Sequence, residues 1–398
     1  MRGHRIKLRD DSMEPTEKPL KKSFRFYFVF LLLYIGTIVV MLEGLAILLA
    51  PKSPRMPHPI LNHVWRSNYS WNDGGCSKHI NQQGWLEDSD TELAKPKDTF
   101  RIFYLGDSFT AGSCRVAMPD LVETWLNRSA LANANRFEVI NTGTPSYSPV
   151  LYFLQLKNYI LQYSPNLLVI NIDMTDVFDD YICRNIGIKD SSEEIIAVPM
   201  GSVLKRQFLR TSAGLVEKSA LRKMLDSLRT YSHLTDLLML NYEAIEDRRQ
   251  TQSVPSDTPG DSPKLFDWCL PKWSPKISQE VEFSMKTLRS LIRLARSNHV
   301  KVLVTAVPHL KHFLGEYSLR PFEEISRVCR EEGVPYLDSY DSLIRRMAGR
   351  NPSSYYVPGD MHLNDDGYRL WAVVHKEFLV DPKNDLLPKQ SPAAIGQH

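Results

Sequence analysis

The feature that most constrains the fold is an abrupt change of pattern within residues 101–126. The β-prone run Arg-Ile-Phe-Tyr-Leu at 101–105 stops at Gly106-Asp107-Ser108. After this turn, apolar side chains recur at the spacing of a helix, at Val116, Leu121, Val122, Trp125 and Leu126. A strand followed by a helix places Ser108 at the carboxyl edge of a parallel sheet, where α/β proteins bind ligands. The alternative is a plain turn, because Gly, Asp and Ser all favour turns.

The alternation of strands and helices continues along the chain. Strands are predicted at 137–141, 166–172, 300–307 and 335–338, and helices at 151–163, 278–298, 322–332 and 367–379. The run at 166–172 is nearly all apolar, as expected of a parallel strand that is buried on both faces. Alternating units of this kind predict an α/β fold with a central parallel sheet covered on both sides.

A second motif lies near the other end of the chain, in Tyr-Val-Pro-Gly-Asp-Met-His-Leu-Asn at 356–364. Asp360 and His362 are two residues apart, so in an extended segment they project to the same side. A carboxylate in that position can fix the tautomer of the imidazole, which can then take a proton from a serine hydroxyl. The alternative for His362 is an ordinary solvated loop histidine.

Together, the Gly106-Asp107-Ser108 and Asp360-Met361-His362 blocks resemble those of SGNH/GDSL-type hydrolases. The resemblance extends over residues 98–380 and implies a flavodoxin-like three-layer α/β/α sandwich. It also implies that Ser108 is the nucleophile, that His362 is the base and that Asp360 orients the ring. No cofactor is implied.

The family also implies donors for the oxyanion: the serine N–H, a glycine N–H after the second strand and an asparagine amide after the third. By alignment from Asn141, the glycine position falls on Ser146, with Gly143 as a nearby alternative. The asparagine position falls on Thr175, whose hydroxyl can donate one hydrogen bond from a shorter side chain. The implied oxyanion residues are therefore Ser108, Ser146, Gly143 and Thr175.

The Asp-x-His spacing departs from the commoner Asp-x-x-His of the family. It is similar to that of membrane-associated SGNH-like proteins that O-acetylate exported polysaccharides, and this makes a membrane-bound O-acyltransferase a candidate partner. An α/β-hydrolase is disfavoured, because Ser108 lacks a Gly-x-Ser-x-Gly elbow. A metal site is disfavoured as well, because His309 and His312 have no third ligand at a suitable spacing.

Residues 26–50 are apolar except for Glu43, and the run is long enough for a membrane-spanning helix. It is longer than the core of a signal peptide, and no clean cleavage site follows it. Residues 1–25 contain eight Lys or Arg, which predicts a cytoplasmic amino terminus. The alternative is a buried core helix. We expect a single-pass anchor with the catalytic domain outside the cytoplasm, in the periplasm if the host is Gram-negative.

The rest of the chain is organised around this anchor and the hydrolase-like domain. Residues 51–97, rich in Pro, Asn, Ser and Asp with interspersed Trp, are expected to form an ordered lead-in. The hydrolase-like domain occupies 98–385 and is interrupted by an insertion at 190–275, and residues 386–398 form a tail. Within the insertion, 219–248 is predicted to be helical and 251–263 to be a loop. The insertion either shapes substrate access or only elaborates the packing.

Charge and cysteine content narrow the remaining possibilities. The formal net charge of +3 is close to balanced, so it does not indicate a general nucleic-acid-binding surface. The five cysteines cannot all pair within one chain. If the domain lies outside the cytoplasm, a disulfide such as Cys183–Cys269 is compatible with the sequence; the alternative is that most are small buried residues.

Two hypotheses follow for the function. In the first, the protein is a membrane-anchored serine esterase, or an acyltransferase of the same chemistry, acting on O-acyl esters of extracytoplasmic glycans or lipids. In the second, it is a non-catalytic SGNH-like module that binds a glycan or a partner, because Thr175 replaces the asparagine.

Overall fold

The computed structural model describes residues 24–49, 53–73, 76–133, 135–200, 228, 232–239, 241 and 263–388. The chain divides into two compact units. The first comprises residues 1–52 and 223–239, and the second comprises residues 53–222 and 240–398.

The first unit contains one long helix, α1 (Phe24–Leu49), whose segment Arg25–Leu48 is long and apolar enough to cross a membrane. A signal sequence near an amino terminus has the same character. The carboxylate of Glu43 accepts hydrogen bonds from Ser232 Oγ at 2.7 Å and from the N–H groups of His233 at 2.6 Å and Leu234 at 3.1 Å. Residues 233–239 are helical, and the rest of the helix predicted at 219–248 lies largely outside the described residues.

The second unit is built on strands. They are β1 (Arg55–His58), β2 (Leu61–Trp65), β3 (Tyr69–Asp73), β4 (Cys76–Ile80), β5 (Thr99–Leu105), β6 (Arg136–Asn141), β7 (Leu167–Ile172), β8 (Ile188–Lys189), β9 (Ile195–Pro199), β10 (Lys301–Ala306) and β11 (Tyr336–Leu337). Five of them form a parallel sheet in the order β11-β10-β7-β5-β6. Counted along the chain, this is the order 2-1-3-4-5 of flavodoxin-like folds. The predicted central parallel sheet is confirmed.

Helices cover both faces of this sheet. They are α2 (Ser108–Ala111), α3 (Met118–Arg128), α4 (Pro149–Gln155), α5 (Asp176–Ile186), α6 (Pro275–Ser297), α7 (Leu310–Phe313), α8 (Arg320–Glu332), α9 (Ser339–Arg346) and α10 (Asp365–Val380). Side chains of α4, α5, α6 and α8 form the core on one face, and those of α3, α9 and α10 form the core on the other. The three-layer α/β/α sandwich is therefore confirmed, and the helices predicted at 151–163, 278–298, 322–332 and 367–379 lie within a few residues of their expected places. The first of them continues beyond Gln155 as π-helical and 3₁₀-helical turns.

Two small sheets lie outside the central one. Strands β1, β2, β9 and β8 form a four-stranded sheet, in which β2 pairs in parallel with β9 at Leu61↔Val198. Strands β3 and β4 form a hairpin. The lead-in thus pairs with a strand from the beginning of the predicted insertion. Apart from Pro263, the loop predicted at 251–263 lies outside the described residues.

The disulfide in the structure is not the pair that was considered from the sequence. Cys76 is disulfide-bonded to Cys114, whereas Cys183, Cys269 and Cys329 are free and buried. The Cys183–Cys269 disulfide was therefore the wrong pair. Both thiols belong to the apolar core beneath α4 to α6, so they pack as small hydrophobic side chains, which was the stated alternative.

Candidate active site

Ser108 is the first residue of α2 and follows β5 after a two-residue turn. Asp107 caps this short helix, because its Oδ1 accepts a hydrogen bond from the Phe109 N–H at 2.9 Å. Gly106 leaves no room for a side chain, since a Cβ there would lie 1.9 Å from Thr110 Oγ1. The Gly-Asp-Ser sequence therefore builds a tight turn that holds Ser108 at the carboxyl edge of the sheet.

Asp360 and His362 lie in the loop that precedes α10, and this loop returns to the same edge. His362 Nε2 lies 2.8 Å from Ser108 Oγ, across 254 residues of sequence. His362 Nδ1 lies 2.8 Å from Asp360 Oδ1. The loop is held by its own backbone, because the Val357 N–H donates to the His362 carbonyl at 2.9 Å. The structure thus places the three predicted residues in one hydrogen-bonded chain.

The two residues behind the serine are partly open to solvent. The side chain of His362 is 30% exposed and that of Asp360 is 49% exposed. Partial burial pushes the pKa of Asp360 upward, but the hydrogen bonds from the His362 ring and backbone outweigh it, and the pKa falls below its usual value. Asp360 is therefore an anion at neutral pH and an acceptor for an N–H at His362 Nδ1.

The loop after β6 carries two of the expected oxyanion donors. Ser146 has a φ of +61°, in the left-handed region that favours glycine. The N–H groups of Ser146 and Ser108 donate to no acceptor within the described residues. The Gly143 N–H, in contrast, donates to Asn141 Oδ1 at 3.0 Å. The N–H groups of Ser108 and Ser146 are therefore available to an oxyanion, whereas the Gly143 N–H is already bonded to Asn141.

Thr175, the fourth oxyanion residue expected from the sequence, lies three residues after the end of β7, and its two donors already have an acceptor. Its hydroxyl donates to Asp173 Oδ2 at 2.8 Å, and its backbone N–H donates to the same oxygen at 3.0 Å. Thr175 therefore supports the Asp173 carboxylate, and in this arrangement its hydroxyl offers no donor to an oxyanion.

Asp173 has a second partner that sequence reasoning missed. His309, just after β10, has its Nε2 2.7 Å from Asp173 Oδ1, and both side chains are almost fully buried. Burial alone would raise the pKa of Asp173, but the charge and hydrogen bond of His309, with the Thr175 donors, lower it. Asp173 directly follows β7 and His309 lies three residues after the end of β10, so their contact can be inferred only once these two strands are known to be neighbours in the sheet.

Phe109 separates the two His–Asp pairs. Its ring centroid is 4.7 Å from that of His362 and 5.1 Å from that of His309. Phe109 is fully buried. The site therefore consists of an outer pair that reaches Ser108 and an inner pair behind an aromatic ring.

Strand β2 of the lead-in is hydrogen-bonded to the loop that carries Ser146. Trp65 Nε1 donates to the Gly143 carbonyl at 2.8 Å, and His63 Nε2 lies 2.8 Å from the Pro145 carbonyl. The Tyr147 hydroxyl donates back to the His63 carbonyl at 2.5 Å. Burial lowers the pKa of His63 to about 4, so the ring is neutral at pH 7 and an Nε2–H can donate to Pro145. Nothing in the lead-in sequence signalled these contacts.

Several further carboxylates lie under the site at the start of α5. Burial raises the pKa of Asp179 to about 7 and that of Asp180 to about 6, and Asp180 accepts hydrogen bonds from Ser284 Oγ and the Val150 N–H. In the part of the chain that the structure describes, no cluster of three or more His, Cys, Asp or Glu could hold a metal ion. His309 and His312, considered from sequence as ligands, instead pack against Phe109, Tyr317 and Phe322.

Comparison with known proteins gives one family. Residues 104–370 match the model of the GDSL-like Lipase/Acylhydrolase family. A search of curated protein sequences found no match.

Solved structures with related architecture include a two-domain esterase active on acetylated mannans (15% identity, 74% of this chain and 52% of that chain, TM-score 0.39). The present chain thus spans about half the length of that esterase. A lipase/acylhydrolase from Enterococcus faecalis is 14% identical over 74% of this chain and 100% of that chain, with a TM-score of 0.38. An acetylxylan esterase from Geobacillus stearothermophilus is 10% identical over 72% of this chain and 97% of that chain, with a TM-score of 0.40.

Proposed function

The chain belongs to the GDSL-like lipase/acylhydrolase family, and from that premise we propose that it is a membrane-anchored serine esterase. Its substrates are O-acyl esters of extracytoplasmic glycans or lipids. The observation that carries the proposal is the hydrogen-bonded chain from Ser108 Oγ through His362 to Asp360, with both links at 2.8 Å. These three side chains provide a nucleophile, a base and an orienting carboxylate.

In the proposed mechanism, His362 Nε2 takes the proton of Ser108 Oγ as that oxygen attacks the ester carbonyl. Asp360 accepts the Nδ1–H, fixes the tautomer of the ring and stabilises the imidazolium that forms. The imidazolium then protonates the leaving alcohol, and an acyl-serine remains. Water, deprotonated by the same ring, hydrolyses the acyl-serine and regenerates the hydroxyl.

For the tetrahedral oxyanion we propose the backbone N–H groups of Ser108 and Ser146 as the principal donors. Both are free of other acceptors within the described residues. Gly143 and Thr175 have lesser parts in this proposal, because their donors already bond to Asn141 and Asp173. Loss of one oxyanion donor costs about 2.7–4 kcal/mol in known hydrolases, so a site with two backbone donors would turn over more slowly than one with three.

The proposed location is the outer face of a cell membrane. In this arrangement α1 spans the bilayer, the basic residues before it stay in the cytoplasm, and the catalytic unit lies outside the cytoplasm, which means the periplasm if the host is Gram-negative. The apolar length of α1 supports this location. So does the Cys76–Cys114 disulfide, because such bonds persist mainly in oxidising compartments.

Two other functions are compatible with this site. The same acyl-serine would transfer its acyl group if a polysaccharide hydroxyl replaced water, and a membrane-bound O-acyltransferase would then be the natural partner. A non-catalytic module that binds a glycan or a partner is favoured by one feature, namely that the Thr175 hydroxyl is bonded to Asp173.

Active-site labelling tests the proposal. The full-length protein in detergent is treated with a fluorophosphonate probe and mapped by peptide mass spectrometry, and hydrolysis of p-nitrophenyl acetate is measured in parallel. We expect the label on Ser108, and its loss together with turnover in Ser108→Ala. Ser113→Ala is the matched control, because that nearby hydroxyl bonds to Asp365 at 2.8 Å and, among the described residues, to no imidazole. Absence of label from Ser108 in the folded protein would favour the binding module.

A further inference from the structure

A lysine of strand β4 reaches the end of the short helix that carries Ser108, and the mechanism above does not use this contact. The Lys78 Nζ donates to the Ala111 carbonyl at 2.7 Å and to the Gly112 carbonyl at 3.2 Å. Lys78 belongs to the lead-in, ahead of the residues 104–370 that match the family. The family match therefore does not cover this lysine.

Helix α2 depends on contacts from outside its own segment, because it has only four residues. A single helical turn is not stable in water by itself. Its backbone hydrogen bonds run from the Ala111 N–H to the Asp107 carbonyl at 3.0 Å and from the Gly112 N–H to the Ser108 carbonyl at 3.1 Å. The Asp107 carboxylate caps the amino end. At the carboxyl end, Lys78 supplies the donor for two carbonyls that the helix leaves without one.

The charge and the burial of this contact both strengthen it. An ammonium at the carboxyl end of a helix interacts favourably with the partial negative charge of the last carbonyls. Ala111 is 4% exposed, so water does not readily replace the ammonium at its carbonyl. Removal of Lys78 would leave a buried acceptor without a partner, and the turn would have to shift to recover one.

The position of the lysine is fixed by the hairpin to which it belongs. Lys78 pairs with Trp71 in the β3–β4 ladder. Cys76, two residues before it, is disulfide-bonded to Cys114, which lies two residues after Gly112. The hairpin is thus covalently joined to the segment that leaves α2, and this link keeps the ammonium opposite the two carbonyls.

We propose that Lys78 is a positioning residue for Ser108, which fixes the carboxyl end of α2 and thereby the 2.8 Å contact between Ser108 Oγ and His362 Nε2. A misplacement of about 1 Å in a reacting group can cost about 10²-fold in rate. The effect of Lys78 on turnover rests on the proposed esterase function, whereas its effect on the position of α2 does not.

The charge of Lys78 gives this role a signature that packing alone would not produce. Burial lowers the pKa of Lys78 to about 8, and the carboxylate of Asp120 on α3 opposes this shift. Asp120 is the charged group that faces Lys78 among the described residues. Near pH 8 the ammonium loses its proton, and the neutral amine is a weaker donor without a charge for the helix end. The kcat of the parent should therefore fall as the pH rises through about 8.

The first test is kinetic and uses the full-length protein in detergent, with p-nitrophenyl acetate between pH 6 and about 9.5. Lys78→Met should lower kcat at pH 7 by about 10- to 100-fold and change KM by no more than about twofold. Lys78→Arg keeps a cation and donors, so it should restore most of the kcat. It should also abolish the fall near pH 8, because a guanidinium stays charged there.

Lys95→Met is the matched control. Lys95 is also a lead-in lysine, and its Nζ bonds to the Ser164 carbonyl at 2.9 Å and to Asn166 Oδ1 at 2.7 Å, neither of which belongs to α2. This variant loses hydrogen bonds of the same kind, so it reports the cost of loosening the lead-in in general. Its kcat and its pH profile should equal those of the parent.

The second test is hydrogen exchange, which does not depend on turnover. The amides of Ala111 and Gly112 should exchange at least about tenfold faster in Lys78→Met than in the parent, and at the parent rate in Lys95→Met. An unchanged exchange rate, or a kcat within about twofold of the parent in Lys78→Met, would overturn the proposal. If Lys78→Met does not fold, the pH profiles of the parent and of Lys78→Arg decide: two identical profiles would overturn it.

These outcomes are separable from the esterase test. Turnover by the parent, with the same kcat in Lys78→Met, would remove the role of Lys78 and leave the esterase. No turnover by the parent, with faster exchange of the α2 amides in Lys78→Met, would remove the esterase and leave Lys78 as the residue that holds α2 in place.

Discussion

The two His–Asp pairs on either side of Phe109 have the same chemical parts and opposite surroundings. In the outer pair, Asp360 is half exposed and the His362 ring reaches Ser108 Oγ at 2.8 Å. In the inner pair, Asp173 and His309 are buried, and the Thr175 hydroxyl and N–H donate to the carboxylate. Access to a nucleophile makes the outer pair a candidate for proton transfer. The buried inner pair instead links the segments that follow β7 and β10.

The comparison shows that a residue pattern assigns a role only together with its environment. A histidine that can exchange protons with a bound substrate must be reachable, and His362 is 30% exposed. A buried, hydrogen-bonded pair instead contributes to the fold through the high cost of removing one partner, which leaves an unpaired polar group in a low-dielectric interior.

The largest expected effect comes from breaking the outer pair. His362→Gln should lower the kcat for p-nitrophenyl acetate by at least about 10³-fold, because the serine loses its base. The free energy of unfolding in urea should change by no more than about 0.5 kcal/mol, since the ring is partly solvated. Activity close to that of the parent would remove His362 from the proposed mechanism.

Breaking the inner pair should have the reverse signature. His309→Leu should lower the free energy of unfolding by about 3–5 kcal/mol, because it leaves the buried Asp173 carboxylate without its main partner. Asp341→Asn is the matched control: its exposed pair with Arg345 has both side chains more than half exposed, and its loss should cost less than about 0.5 kcal/mol. A His309 variant as stable as this control would contradict a structural role for the inner pair.

A third histidine, His375, sharpens the contrast, because its buried ring packs against the rings of Tyr104 and Trp371. Both ring nitrogens of His375 lack hydrogen-bond partners within the described residues, and burial lowers its pKa to about 3. Between pH 3 and about 6.5 the unfolded chain therefore binds more protons at this position, so stability falls as the pH falls through this window. From pH 6.5 to pH 4 the loss is on the order of 3 kcal/mol.

His375→Phe should remove that contribution. Urea unfolding at several pH values between 4 and 6.5 should show a shallower loss of stability in the variant than in the parent. Parallel curves for the two proteins would show that His375 is not held neutral by burial.

The smallest expected effect concerns the carboxylate of the outer pair. Asp360→Asn should lower kcat by about 10- to 100-fold, well below the ~10⁴-fold loss known where the triad carboxylate is buried. The reason is that water can replace part of the contact with a half-exposed side chain. A loss as large as that of His362→Gln would show that exposure does not weaken the coupling.

Much of the fold and the outer half of the site could be predicted from sequence, because the signals are local. Apolar runs and helical spacing report burial directly, and Ser108, Asp360 and His362 stand in short motifs of restricted chemistry. The topological rule that parallel strands end at one edge then brings Ser108 and the His362 loop together.

The inner half of the site could not be predicted, because it depends on pairing between distant elements. Asp173 and His309 are 136 residues apart, and each is unremarkable in its own segment. Their contact follows only once β7 and β10 are neighbours in the sheet. The Cys76–Cys114 disulfide could not be predicted either, because five cysteines allow several pairs and the sequence does not favour one of them.

The hydrogen bonds between strand β2 and the Ser146 loop have a practical consequence for the expression of the catalytic domain alone. The family match begins at residue 104. A truncation at that boundary would retain every motif residue, yet it would discard Trp65 and His63, which hold the carbonyls of Gly143 and Pro145. It would also delete Cys76 and leave Cys114 as an unpaired thiol. An expression fragment should therefore begin ahead of residue 53, where the compact second unit starts.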